Sequence, residues 1–146
     1  VSSTDAPAPR CAELLGLHPV EHDPALAERH YGTWAGRLLS EVIIENSAEV
    51  DRWLHDPHAC PPGGESVAGQ VTRVGRWMDT LRARGNASRN NHQIIAVTHP
   101  SVVRAVIVHA LGVDLRTYWR LDCEPWSLAM LTTHNDQWNL RMITAG

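Results

Sequence analysis

Residues 94–112 read IIAVTHPSVVRAVIVHALG, and no other stretch limits the fold of this chain as tightly. The run QIIAVT is short, apolar and β-branched, which predicts a buried strand. Proline is favoured at the first position of a helix and drives the residue before it towards extended geometry, so Pro100 predicts a helix start with His99 as its N-cap. The helix runs to Gly112 and is apolar nearly all round, so most of its faces must be buried. Strand, tight turn and buried helix in succession predict an α/β layered fold.

A titratable side chain at that junction needs a reason. A helix N-terminus presents unpaired N–H groups and a partial positive charge, which together attract phosphate or carboxylate. In open α/β sheets, ligands sit outside the carboxyl ends of the strands, where this junction lies. His99 can hold an anion there, and Ser101 adds a hydroxyl at the same turn. The alternative is a histidine that caps a helix with no ligand.

The remaining segments fit one domain. RCAELLG, ending at Gly16, predicts a short helix, and LHPVEHDPAL a connection. ERHYGTWAG is aromatic and glycine-punctuated, the mark of a structured loop. RLLSEVIIENSAEVDRWLHD predicts one or two helices stopped by Pro57. From Glu65 to Arg84, Val67, Val71, Val74, Met78 and Leu81 recur at three and four, an amphipathic helix with Arg73, Arg76 and Arg82 mostly on its wet side. DLRTYWRLD predicts a short helix, and strand-like runs flank Asn135-Asp136 as a hairpin.

Size and charge exclude several classes. The 146 residues, 43% hydrophobic, suffice for a single core. A net charge of −3 argues against nucleic acid. No apolar run approaches the ~20 residues that span a bilayer, and the first twenty residues lack a secretory leader pattern. Three irregularly spaced cysteines make a disulfide framework unlikely to be intended, so a reducing cytoplasm is expected. The first residue is Val rather than Met, which suggests a start inside a longer product or at an unusual start codon.

Further chemistry is sparse. Glu28 on the ERHYGTWAG loop is a candidate general acid, with a surface glutamate beside a packed Tyr-Trp pair as the alternative. PPGGES reads as a turn and helix start before it reads as an anion nest. His55, His58 and Cys60 are close in sequence, but Pro57 spoils their spacing; neither a metal nor an organic cofactor is expected. Cys11 reads as a packing residue, and the sequon at 86–88 has no role without a secretory leader.

Taken in order, AELLGL, ERHYGTWAG, PGGES with Arg73 in the next helix, and VTHPSVVRAVIVHALG resemble the phosphoglycerate-mutase-like branch of the histidine phosphatase superfamily. The resemblance covers almost the whole chain. It implies a three-layer α/β sandwich, a mostly parallel sheet with helices on both faces, formed by residues 1–146 as one domain. It implies a nucleophilic histidine in an Arg-His-Gly motif, a second histidine and arginines on the phosphate, and a glutamate that protonates the leaving alkoxide. Carried over, Glu28 is the acid, and His99 is the second histidine, holding phosphate beside Ser101. The implied partner is a phosphorylated small molecule, with neither nucleic acid nor membrane.

Three departures accompany the resemblance. No Arg-His-Gly occurs in this sequence; the family pattern puts it upstream of Val1, on the strand beside residues 94–98, so the domain is expected to be N-terminally incomplete with its first strand missing. Pro7 stands where the family has a phosphate-binding arginine, leaving Arg10 as the substitute. Pro100 replaces the glycine after the second histidine and removes one N–H. Three readings stay open: a phosphomonoesterase completed by an upstream strand, a non-catalytic relative that binds phosphorylated ligands or a protein, and an assembly in which a homodimer or another partner supplies the strand.

Overall fold

The computed structural model describes residues 1–87, 93–124 and 126–144. Four helices carry the fold: α1 (Ala8–Leu14), α2 (Leu39–His55), α3 (Val67–Ala87) and α4 (Pro100–Leu111). A hairpin of β1 (Leu128–His134) and β2 (Gln137–Thr144) closes the chain. Its two-residue turn, Asn135 and Asp136, has φ of 49° and 61°, the double left-handed geometry of a tight hairpin.

Three short extended segments meet at the start of the chain. Ser2 bridges His22 on one side and Val97 on the other, both in parallel. Ser2 N–H donates to Glu21 O at 2.8 Å and Asp23 N–H to Ser2 O at 3.0 Å. On the other side Ser3 N–H donates to Val97 O at 2.9 Å and Val97 N–H to Val1 O at 3.0 Å. The expected connection at 17–26 therefore contributes a rung of its own.

The fold is α/β, with a narrower sheet than the full pattern. Among the described residues the only multi-residue pairing is the antiparallel hairpin, and the parallel contacts are single bridges. The expected buried strand at 93–98 is corrected in two respects: the segment forms a single bridge at Val97 rather than a strand, and Ile94 and Ile95 are 50% and 49% exposed. Among the described residues the segment pairs only with Val1–Ser3, and its isoleucine side chains are half exposed.

The core forms where α3 crosses α4. Val67, Val71, Val74 and Met78 pack against Val102, Ala105 and Val108, with Leu26 and Tyr118 in the same cluster. Each fully buried valine contributes about 1.5–3 kcal/mol before ordering costs. His99 is the N-cap of α4, with φ −102° and ψ 153°, and Pro100 is its first residue. α2 is one element broken at Asn46, whose φ and ψ are −139° and 45°. A second cluster, Trp34, Val42, Val50 and Trp53, meets the first through Trp119.

Arg73 is not on a wet face. Its Nε and Nη2 donate to Glu65 Oε1 and Oε2 at 2.9 and 2.8 Å, and its Nη1 to Ala25 O at 2.8 Å and Ala27 O at 3.2 Å. A guanidinium is shaped for this set of acceptors, and it ties α3 to the segment that leads into residue 28.

The loops at 28–36 and 61–66 lie backbone to backbone. Thr33 N–H donates to Pro62 O at 3.0 Å, and Glu65 N–H to His30 O at 2.7 Å. Gly32 has φ +54°, and a Cβ there would sit 2.1 Å from Pro62 O. Gly32→Ala is expected to lower stability by on the order of 2 kcal/mol, read as a lower urea midpoint by tryptophan fluorescence. An unchanged midpoint would contradict this close approach.

Candidate active site

Glu28 gathers the polar groups that the sequence scatters. Its backbone N–H donates to Asp5 Oδ2 at 2.8 Å. Its Oε1 accepts from Arg29 N–H at 2.9 Å and from the Ser101 hydroxyl. Its Oε2 lies 3.6 Å from His99 Nδ1. On the far side of the ring, His99 Nε2 stands 3.3 Å from Ser3 Oγ, which also accepts from Asp5 N–H at 3.0 Å. The His99 side chain is 12% exposed and that of Glu28 35%, so one is sheltered and the other reaches solvent.

Glu28 also lines a cleft of about 580 Å³, with Asp5, Arg29, His30, Tyr31, the Gly63-Gly64 turn, Glu65 and Arg73 among its walls. His99 and Ser101 touch Glu28 without lining that cleft. PPGGES thus serves as the facing wall as well as the entry to α3.

Three of the four sequence-derived residues come together: Glu28, His99 and Ser101. Arg10 does not. Its side chain is 72% exposed and pairs with Glu13 at 3.0 Å. The reason is helical phase: Ala8 and Ala12 are the buried positions of α1, and two residues on from Ala8 is roughly the opposite face. Pro7, the N-cap of α1, makes no side-chain capping bond. Ser101 also takes a different part from the expected one. Its Oγ accepts from Gln70 Nε2 at 2.9 Å and donates its one hydrogen to Glu28 Oε1.

Sequence reasoning passed over Gln70, Arg29, Ser3 and Asp5. Gln70 had a signal: it is a polar residue inside the apolar stripe of α3, and it is fully buried. Its Oε1 accepts from Tyr118 OH at 3.1 Å. Arg29 is 3% exposed, its guanidinium 4.9–5.3 Å from the ring centres of Tyr31, Trp53, Tyr118 and Trp119. Its Nε and Nη1 are buried without a hydrogen-bond partner among the described residues. Facing aromatic rings offset part of the cost of such a charge. Among the described residues no three His, Cys, Asp or Glu side chains form a group that can hold a metal ion. No helix there is long and apolar enough to cross a membrane.

A family model described as the histidine phosphatase superfamily (branch 1) matches residues 3–145. The chain belongs to the histidine phosphatase superfamily. Phosphoserine phosphatase 1 of Hydrogenobacter thermophilus is 31% identical over 121 residues, spanning 82% of this chain and 55% of that protein. Adenosylcobalamin/alpha-ribazole phosphatase of Escherichia coli is 29% identical over 112 residues, spanning 75% of this chain and 53% of that protein. The chain thus matches little more than half the length of these curated relatives. Among solved structures, the alpha-ribazole phosphatase from Shigella flexneri superposes with a TM-score of 0.83 at 22% identity, over 99% of this chain and 71% of that one. A mycobacterial glucosyl-3-phosphoglycerate phosphatase gives 0.80 at 24% identity, over 96% and 74%. At these identities the structural likeness speaks for the fold of the superfamily.

Burial pushes the Tyr118 phenol up to about 12, against a smaller opposing pull from Arg29. The unfolded chain releases this proton near its ordinary value of 10.0, the folded chain only near 12. The stabilisation is therefore complete below pH 10 and is lost as pH rises towards 12, by roughly 1.4 kcal/mol per pH unit. Tyr118→Phe is expected to flatten this part of the alkaline stability profile, measured by urea unfolding at a series of pH values. An identical slope in the variant would contradict the burial of the phenol.

Proposed function

We propose that this chain carries the acid half of a phosphomonoesterase site, with Glu28 as general acid and His99 as the second histidine on the phosphoryl oxygens. The nucleophile in this reading is a histidine in an Arg-His-Gly motif outside residues 1–146, on a strand that precedes Val1 in the complete protein or is supplied by another chain that carries the motif. The observation that carries it is the convergence of Glu28 with His99 and Ser101, 73 positions away along the chain in the case of Ser101. A histidine nitrogen attacks phosphorus, the ester P–O bond breaks, and the Glu28 proton passes to the departing alkoxide. Glu28, then a carboxylate, takes a proton from the water that attacks the phosphohistidine, which releases phosphate and restores the acid.

The substrate class in this reading is a small phosphate monoester, in keeping with the phosphoserine and alpha-ribazole phosphatases among the relatives. The full sheet is proposed to be mostly parallel, the middle layer of a three-layer single domain, with the added strand beside residues 95–97. Its support is the unpaired edge there, together with exposed Ile94, Ile95, Leu128 and Met130.

A second reading, a relative that binds phosphorylated ligands or a protein without turnover, draws on the arginines. Pro7 offers no cation, Arg10 points to solvent, and Arg73 is committed to Glu65 and backbone carbonyls. The protein from the complete reading frame separates the two. Catalysis predicts an Arg-His-Gly motif upstream, a trapped phosphohistidine, and release of phosphate from glycerol phosphate and p-nitrophenyl phosphate. Glu28→Gln then slows glycerol phosphate about 100-fold and the nitrophenyl ester far less, because nitrophenolate departs with little help. Vanadate binding without turnover, lost in His99→Ala, would instead favour the binding relative.

A further inference from the structure

We propose that Gln70 and Tyr118 are positioning residues for Glu28: acting through Ser101, they keep Oε1 as an acceptor and reserve Oε2 for the transferable proton. The proposal rests on Glu28 as the general acid and adds which of its oxygens is the acid and what decides it.

Tyr118 OH stands 3.1 Å from Gln70 Oε1, and a carbonyl oxygen only accepts, so the phenol donates. Gln70 Nε2 stands 2.9 Å from Ser101 Oγ, and an amide NH₂ only donates, so Ser101 accepts. The single Ser101 hydroxyl hydrogen then goes to Glu28 Oε1. Oε1 also takes Arg29 N–H at 2.9 Å. With two donors aimed at Oε1, a proton placed on it would meet the Ser101 hydrogen head on. The acid proton therefore belongs on Oε2, the oxygen 3.6 Å from His99 Nδ1. Tyr118 and Gln70 are fully buried and Ser101 is 7% exposed, so water does not compete within the relay. The relay joins the α3–α4 core to the loop of the acid, and no other role for a buried glutamine on the apolar face of α3 follows from its contacts.

The reversed relay, with the Gln70 amide turned over, has Glu28 donating from Oε1 and Tyr118 accepting. Raman spectroscopy distinguishes the two, because the tyrosine Fermi doublet reports whether a phenol donates or accepts. The chain has 2 tyrosines, so Tyr31→Phe leaves Tyr118 as the sole source of the signal. A donor signature is expected; an acceptor signature overturns the proposal.

Kinetics of the protein from the complete reading frame give the second arm. Gln70→Met keeps the length of the side chain and removes both amide groups. It is expected to slow glycerol phosphate about 10-fold, in kcat rather than KM, while p-nitrophenyl phosphate stays within about 2-fold. Tyr118→Phe, which deletes one oxygen, is expected to shift the same ratio less and guards against a Gln70→Met protein that does not fold. Equal loss on both substrates in folded variants, or no loss on either, overturns the relay. If Glu28→Gln also leaves glycerol phosphate turnover unchanged, the general-acid reading has failed, and the Raman signature alone then decides the relay.

Discussion

The parallel pairing of Ser2 between His22 and Val97 is the constraint on which the site depends. It is a small contact, one residue wide on each side, yet it fixes three segments distant in sequence at one level. Leaving this rung, the chain carries Ser3 and Asp5 directly to His99 and Glu28. Beyond His22 it runs through Leu26, whose carbonyl accepts from Thr98 Oγ at 2.6 Å, into Glu28. Beyond Val97 it reaches His99 within two residues. Both Ser2 and Ser3 are fully buried, so their backbone groups have no water to fall back on and the pairing is obligatory.

Packing then turns this alignment into fixed geometry. The crossing of α3 and α4 holds Ser101 and Gln70 in hydrogen-bond contact, while Arg73 ties α3 to the carbonyls just ahead of Glu28. Glu28 is gripped from two sides: its backbone by Asp5, its carboxyl group by Ser101 and Arg29 N–H. A carboxyl group held by several donors is preorganised, which is the condition that the proposed acid role requires. The Arg29 guanidinium shows the other side of this economy. It places a permanent charge among four aromatic rings beside the acid, while the arginines nearest the cleft and α1 are bound elsewhere.

Among the described residues, pairing is denser around Ser2 than around Val97 and the hairpin. Ser2 is paired on both edges, and Ser2 and Ser3 are fully buried, whereas among the described residues Val97 bridges only Ser2 and the hairpin strands pair only with each other. A sheet edge beside exposed isoleucine is in general a template for further strand pairing.

Much of the architecture was legible in the sequence because it rests on local rules. The apolar stripe of α3, the all-apolar α4, Pro100 as a helix start, the Asn135-Asp136 turn and the glycine-bearing loop after Glu28 are each decided by residues within a few positions of one another. The motif order also placed Glu28 and His99 in one superfamily. Tertiary structure alone decided the rest. Arg73 looked solvated by helical phase, yet acceptors from another segment captured it, and Arg10 was turned away by the phase of α1. Ser101 was claimed by Gln70 and Glu28, contacts 31 and 73 positions apart. Ile94 and Ile95 read as core, yet each is half exposed. Local periodicity determines which face of an element is apolar; which partner meets that face depends on contacts between segments remote in sequence, and no local pattern encodes them.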